Sequence, residues 1–171
     1  MHVKQAGILK FLLRNKKVKF LKHDLTKPIN LKEKNIQYVF HFAARLGVKN
    51  VISKPSKTIN ENLQMLINTI NALKRNNNKS KFIFFSTSEV YSPLIKTNNA
   101  TFPLKEDVAL MVNKETYPRD SYYLSKIIGE KIVQLSGFNY LCLRPHNIYG
   151  PRMGYSHVIP ELIKKIRFQK N

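Results

Sequence analysis

Among the 171 residues there is one cysteine, there are ten acidic residues and there are six glycines, and each scarcity closes off a class of protein. A single cysteine, Cys142, excludes an internal disulfide and suits a reducing, cytoplasmic compartment. In its apolar surroundings it reads as a small buried hydrophobe rather than a redox centre. No apolar run reaches the roughly 20 residues needed to span a bilayer, and the first residues do not have the pattern of a signal peptide. The glycines stand at Gly7, Gly47, Gly129, Gly137, Gly150 and Gly154, with no G-x-x-G cluster ahead of a strand, so no Gly-rich phosphate loop is visible. The shortage of acids against thirty Lys and Arg leaves a formal charge of +20. Such a surface attracts polyanions. The basic residues are nevertheless scattered, as in Lys74-Arg75-Asn76-Asn77-Asn78-Lys79, and form neither a basic arm nor a nucleic-acid motif. The charge therefore reads as compositional bias on a solvated surface, and a nucleic-acid partner is not expected.

What is present is a globular pattern. A hydrophobic fraction of 43% supports one buried core. Apolar runs near 18–22, 37–42, 81–87 and 139–144 predict strands, and helices are predicted near 57–75, 121–136 and 159–169. Alternation of this kind predicts an α/β fold, a parallel sheet with helices on both faces. Leu63, Leu66, Ile67, Ile70 and Leu73 fall at helical spacing, as a core-facing stripe should. The stretch from Pro93 to Arg119 has few apolar runs and reads as a long loop over a site.

Several segments carry chemistry. In Ser121-Tyr122-Tyr123-Leu124-Ser125-Lys126 a phenol and an ammonium four residues apart share one helix face, and a nearby ammonium favours the phenolate that can accept a proton. The pair alone is weak, because most such lysines are simply solvated. The run Lys81 to Phe85 stops abruptly at Ser86-Thr87-Ser88-Glu89, a strand whose carboxyl end opens into polar groups, and ligands in open α/β sheets bind at such ends. Gln37 to Phe42 ends in the small pair Ala43-Ala44, where a flat ligand could lie on the backbone; His41 within it reads as a packed core histidine. Leu141-Cys142-Leu143-Arg144-Pro145-His146-Asn147-Ile148-Tyr149-Gly150-Pro151-Arg152 runs from a strand into a Tyr-Gly-Pro turn.

In this order and at these separations the segments resemble the extended short-chain dehydrogenase/reductases, the NAD-dependent nucleotide-sugar epimerase/dehydratase family, from about Val18 to the C-terminus. The resemblance implies a Rossmann-like doubly wound sheet, NAD as cofactor, a nucleotide-diphosphate sugar as substrate, and a homodimer in a full-length relative. It makes Tyr122 the base, with Lys126 lowering its pKa and holding the nicotinamide ribose. It gives Thr87 the hydrogen bond to the sugar hydroxyl that is oxidised. Ser88 and Glu89 fall at the position of a further catalytic pair. Asp24 and Leu25 fall near the adenine, Phe42, Ala43 and Ala44 beside the cofactor, Asn62 at the family's buried asparagine, and Pro145 among the cofactor contacts. Asn147 and Arg152 become substrate contacts.

The reaction implied first is 4-epimerisation through a transient keto-sugar, which needs only the Thr, Tyr and Lys set. The Ser88-Glu89 pair also resembles the UDP-glucuronate decarboxylase branch. The 4,6-dehydratase branch typically has Asp-Glu there, and Ser88 weakens it. Where the family has a first strand and a Gly-rich turn, this sequence has neither. Residues 1–150 are accordingly expected to be an incomplete NAD-binding domain and 151–171 the start of a truncated substrate domain, with impaired activity. An inactive remnant or a basic binding protein is the reading from another class.

Overall fold

In the computed structural model, residues 14–76, 79–150, 153–154 and 157–168 are described. Residues 23–146 form one compact unit, and the described parts of 14–22 and 147–168 belong to a second.

The first unit is built on a three-stranded parallel sheet, β1 (Tyr38–His41), β2 (Lys81–Phe85) and β3 (Asn139–Leu143), in the order β1-β2-β3. Parallel neighbours need long crossovers. Helices α1 (Val48–Ser53) and α2 (Pro55–Arg75) supply the first; a 3-10 turn (Ser88–Tyr91), the short α3 (Ser92–Lys96) and α4 (Asp120–Gln134) lie in the second. Gly47, at φ +95°, makes the turn into α1, a conformation that L side chains rarely adopt. Pro55 opens α2 at a position where its missing N–H costs nothing.

Strand alternation divides the sheet residues by face. Val39, Phe82, Phe84 and Cys142 join Leu66, Ile70 and Leu73 of α2 and Val133 of α4 in the core. Burial of a side chain such as Phe82, Leu66 or Leu73 stabilises by roughly 1.5–3 kcal/mol each. On the opposite face Tyr38, Phe40 and Phe42 of the β1 edge are exposed. The α2 stripe differs from expectation in one place: Ile67 points outward, while the amides Asn62 and Asn68 are buried. Each of these has hydrogen-bond partners, which is what makes their burial tolerable. Along the outer side of α2, Asn68 Nδ2 donates to Leu25 O at 2.9 Å and Arg75 Nη2 to Ile29 O at 2.8 Å, and Asn76 Nδ2 donates to Leu31 O, so three side chains moor the irregular segment after Asp24.

Strands β1 to β3 and helices α2 and α4 lie within two residues of the expected bounds, with a physical reason where strands stop early, whereas α1 was not expected and α3 opens the stretch 93–119 that was expected to be loop. Thr87 Oγ1 accepts the Glu89 N–H at 3.2 Å, and this local bond turns the chain into the 3-10 turn instead of prolonging β2. The strand expected at 18–22 is absent. Val18, Phe20 and Leu21 are exposed coil, and among the described residues no strand pairs with them. A strand exists only by pairing, whatever its β-propensity. In the second unit α5 (Val158–Phe168) forms as expected. Its expected last residue Gln169 and the substrate contact assigned to Arg152 lie outside the described residues.

Candidate active site

Helix α4 brings the phenol and the ammonium to the carboxyl end of β2. Asp120 sets its start: the carboxylate accepts the Tyr117 N–H at 3.0 Å and lies in the first turn, where negative charge is favourable. Lys126 follows on the inner face and is 3% exposed. Its Nζ donates to Phe85 O at 2.7 Å and lies 4.9 Å from the centroid of the Phe84 ring and 5.8 Å from that of Tyr122. Burial alone pulls this lysine from its ordinary 10.5 to about 8. An ammonium held in so dry a place is costly, and such groups concentrate at functional sites.

Tyr122 departs from expectation. Its pKa is raised, first by burial and then by the Glu89 carboxylate, so in this state it is a phenol at neutral pH. The ammonium of Lys126 donates to the Phe85 carbonyl, and the causes that shift the tyrosine are burial and Glu89. Glu89 is itself 3.8 Å from Arg119 Nη2.

The 3-10 turn presents the remaining polar groups. Thr87 is buried and accepts from Glu89 N, which leaves its own O–H to donate. Ser88 N donates to Pro145 O at 3.1 Å, and Ser86 N to Leu143 O at 2.7 Å, so the exit of β3 holds the exit of β2. Pro145 thus contributes a backbone carbonyl to the site's frame.

The residues beyond β1 serve partly as surface and partly as frame. Phe42 is exposed, its ring stacked on Phe85 at 3.8 Å between centroids, and Ala43 and Ala44 beside it are half-buried. Asn62 is buried and internally engaged. Its Oδ1 accepts from Arg45 N at 2.6 Å, its Nδ2 donates to Ser125 Oγ at 3.0 Å, and Ser125 Oγ donates to Tyr122 O at 2.6 Å. The asparagine therefore ties the β1 exit to the turn of α4 that carries Tyr122 and Lys126. Asp24 is exposed and held in a local turn, its Oδ1 accepting from Thr26 N at 3.0 Å and Thr26 Oγ1 at 2.8 Å; those bonds lower its pKa. Leu25 follows it, half-buried. Asn147 is exposed and belongs to the second unit.

His41 is stacked between Phe82 and Phe84 at about 6 Å, and burial followed by the Lys126 charge lowers it to about 4, so it is neutral at physiological pH. Cys142 is pushed up to about 11, chiefly by burial, and is no nucleophile at neutral pH.

The profile of the NAD dependent epimerase/dehydratase family matches residues 7–171, the span that includes all of these groups. The chain belongs to that family. NAD is the family's cofactor. A UDP-N-acetyl-alpha-D-glucosaminuronate decarboxylase of Bacillus cytotoxicus is 34% identical over 151 residues, 80% of this chain and 44% of its own length. A UDP-glucose 4-epimerase of Mycoplasma pneumoniae is 29% identical over 76% of this chain and 39% of itself. Among solved structures, the UDP-N-acetylglucosamine 4-epimerase from Methanobrevibacter ruminantium in complex with UDP-N-acetylmuramic acid superposes with a TM-score of 0.67 at 26% identity, covering 91% of this chain and 49% of that one. The chain thus spans about two fifths of the length of the curated relatives it matches. Among the described residues no helix is long and apolar enough to cross a membrane.

Proposed function

We propose that these residues carry the acid–base half of an NAD-dependent nucleotide-sugar 4-epimerase, working through a transient keto-sugar, and that the 171 residues alone are impaired in it. The observation that carries the reading is the buried Lys126, fastened to the end of β2 on the helix face it shares with Tyr122. In this reading residues 1–150 serve the NAD-binding domain and 151–171 belong to the substrate domain.

The residues present fit the nicotinamide end of the cofactor. Lys126 gives one N–H to Phe85 O and keeps further donors for ribose hydroxyls. Phe42, Ala43 and Ala44 offer a flat, largely apolar surface at the β1 exit. When bound, NAD supplies the oxidation of a sugar carbinol and its reversal. Thr87 donates a hydrogen bond to that carbinol oxygen while Tyr122 Oη accepts its proton and later returns it. Neutralising or drawing away Glu89 lowers the Tyr122 pKa, and the exposed Arg119 beside Glu89 is a group able to do so.

The pyrophosphate is the weak point. No Gly-rich turn in the sequence offers the backbone N–H groups that usually receive it. The remaining contacts must then offset the whole cost of association.

A second reading, decarboxylation of a nucleotide uronic acid, is favoured by the Ser88-Glu89 pair at the strand exit and by the name of the Bacillus relative. Two measurements test the proposal. Calorimetry should show no saturation of the chain by NAD below about 1 mM, and a micromolar Kd would overturn the impairment. Sensitive assays should find slow C4 inversion of a UDP-hexose with added NAD, reduced at least about 100-fold by Tyr122→Phe. Carbon dioxide release from a UDP-uronate without C4 inversion would install the second reading. Turnover indifferent to Tyr122→Phe would remove Tyr122 as the base, whereas no turnover of either substrate would leave an inactive remnant or a basic binding protein.

A further inference from the structure

Arg144, just past the end of β3, was part of a sequence motif without a role of its own. Its guanidinium makes a bidentate pair with Glu130 of α4, Nε to Oε1 at 2.9 Å and Nη2 to Oε2 at 2.7 Å. Nη1 donates to the Tyr91 hydroxyl at 2.6 Å and to the Glu106 carbonyl at 2.8 Å. The Glu130 side chain is 1% exposed and that of Arg144 18%. Such a fork is geometrically exacting in a way an ammonium is not.

The three partners belong to the three segments that make the site. Glu130 lies four residues after Lys126 on α4, Tyr91 ends the 3-10 turn that begins at Ser88, and Glu106 belongs to the long connection before α4. The next residue, Pro145, accepts the Ser88 N–H at the other end of the same turn. The β3 exit therefore grips the turn at both ends and the helix at one point. We propose that Arg144 is a positioning residue that sets the Thr87-Ser88-Glu89 turn against the Tyr122–Lys126 face of α4. Its consequence for catalysis rests on the nucleotide-sugar reading above; the placement itself does not.

Two variants separate placement from simple folding. Tyr91→Phe deletes only the hydroxyl that joins the turn to Arg144 and leaves the Arg144–Glu130 pair, so it should fold. Arg144→Lys keeps the charge and loses the fork. Hydrogen exchange should show the Ser88 to Val90 amides exchanging at least tenfold faster in both variants, while the middle of α2 stays protected in Tyr91→Phe. NMR of ring-labelled tyrosine supplies a readout that mere stability would not move. Burial and then the nearby Glu89 raise the Tyr122 pKa, so releasing the turn should lower the Tyr122 titration midpoint in both variants relative to the parent chain. With NAD and a nucleotide sugar that the parent turns over, kcat should fall with KM little changed. Unchanged exchange at Ser88 to Val90 together with an unmoved Tyr122 midpoint would overturn the role of Arg144. Absence of turnover in the parent would count against the enzymatic reading alone, because exchange and titration are measured without ligands.

Discussion

Replacing Lys126 with methionine should make the chain more stable at neutral pH while removing any catalysis. The ammonium is 3% exposed, its one protein hydrogen bond among the described residues goes to Phe85 O, and its pKa falls from 10.5 to about 8 through burial. A depression of that size means the charged form is penalised in the folded state by about 3 kcal/mol. Methionine fills similar space without charge, but leaves Phe85 O without its donor, a loss of about 1–3 kcal/mol. At pH 7 the variant should therefore gain a net of about 1 kcal/mol. The firmer signal is the pH dependence. Between about pH 8 and 10.5 the unfolded chain keeps the Lys126 proton and the folded chain has lost it, so stability rises with pH through this window. The variant lacks that rise, and its advantage should shrink by about 3 kcal/mol and reverse. Urea denaturation of both proteins at intervals from pH 7 to 10.5, followed by circular dichroism, gives the difference, in which the other lysines and tyrosines cancel. Parallel stability curves would refute the burial argument, and with it the claim that this lysine is kept for function at the expense of stability.

Two other perturbations test the frame around the site. Gly129→Ala places a Cβ 2.6 Å from Phe84 Cζ and 3.4 Å from Leu66 Cδ2; the overpacking, typically about 1–3 kcal/mol, should outweigh the gain in helix propensity of about 1 kcal/mol and lower Tm. Unchanged or raised Tm would show that the Phe84 ring yields freely. The Glu130 carboxyl is held below its ordinary 4.5: burial raises it, but the hydrogen bonds and charge of Arg144 together with smaller contributions from its other neighbours outweigh this. The pair's stabilisation is present above pH 4.5 and lost as pH falls through the lowered value, so acid unfolding should be shallower in Glu130→Gln. At pH 7 that variant should cost about 3 kcal/mol because it strands a largely buried guanidinium. Identical acid transitions in the two proteins would argue against the pair as a stability determinant.

Strand and helix periods, read along the chain, were sufficient for β1, β2, β3, α2, α4 and α5, because an apolar pattern of period 2 or 3.6 is a property of the single element, even in α5, none of whose described residues is buried. The same patterning, with the jointly occurring Thr87, Tyr122–Lys126 and Arg144–Asn147 motifs, was sufficient for the family, now matched over residues 7–171. Local propensity failed at Val18 to Leu21, where a strand needs a partner that no local pattern can supply. It failed also for the electrostatics of Tyr122. A four-residue spacing says which side chains share a helix face, but the direction of a pKa depends on what packs around it, here burial first and then Glu89 from a segment more than thirty residues earlier. Asn62 was legible as buried and only in space became the link between Arg45 and Ser125. Arg144 was legible as a motif letter, and only the tertiary structure joined it to Glu130 in a clasp. The periodicity that sequence displays is a property of single elements, whereas charge placement and clasps arise where elements meet, and there distance through space replaces distance along the chain.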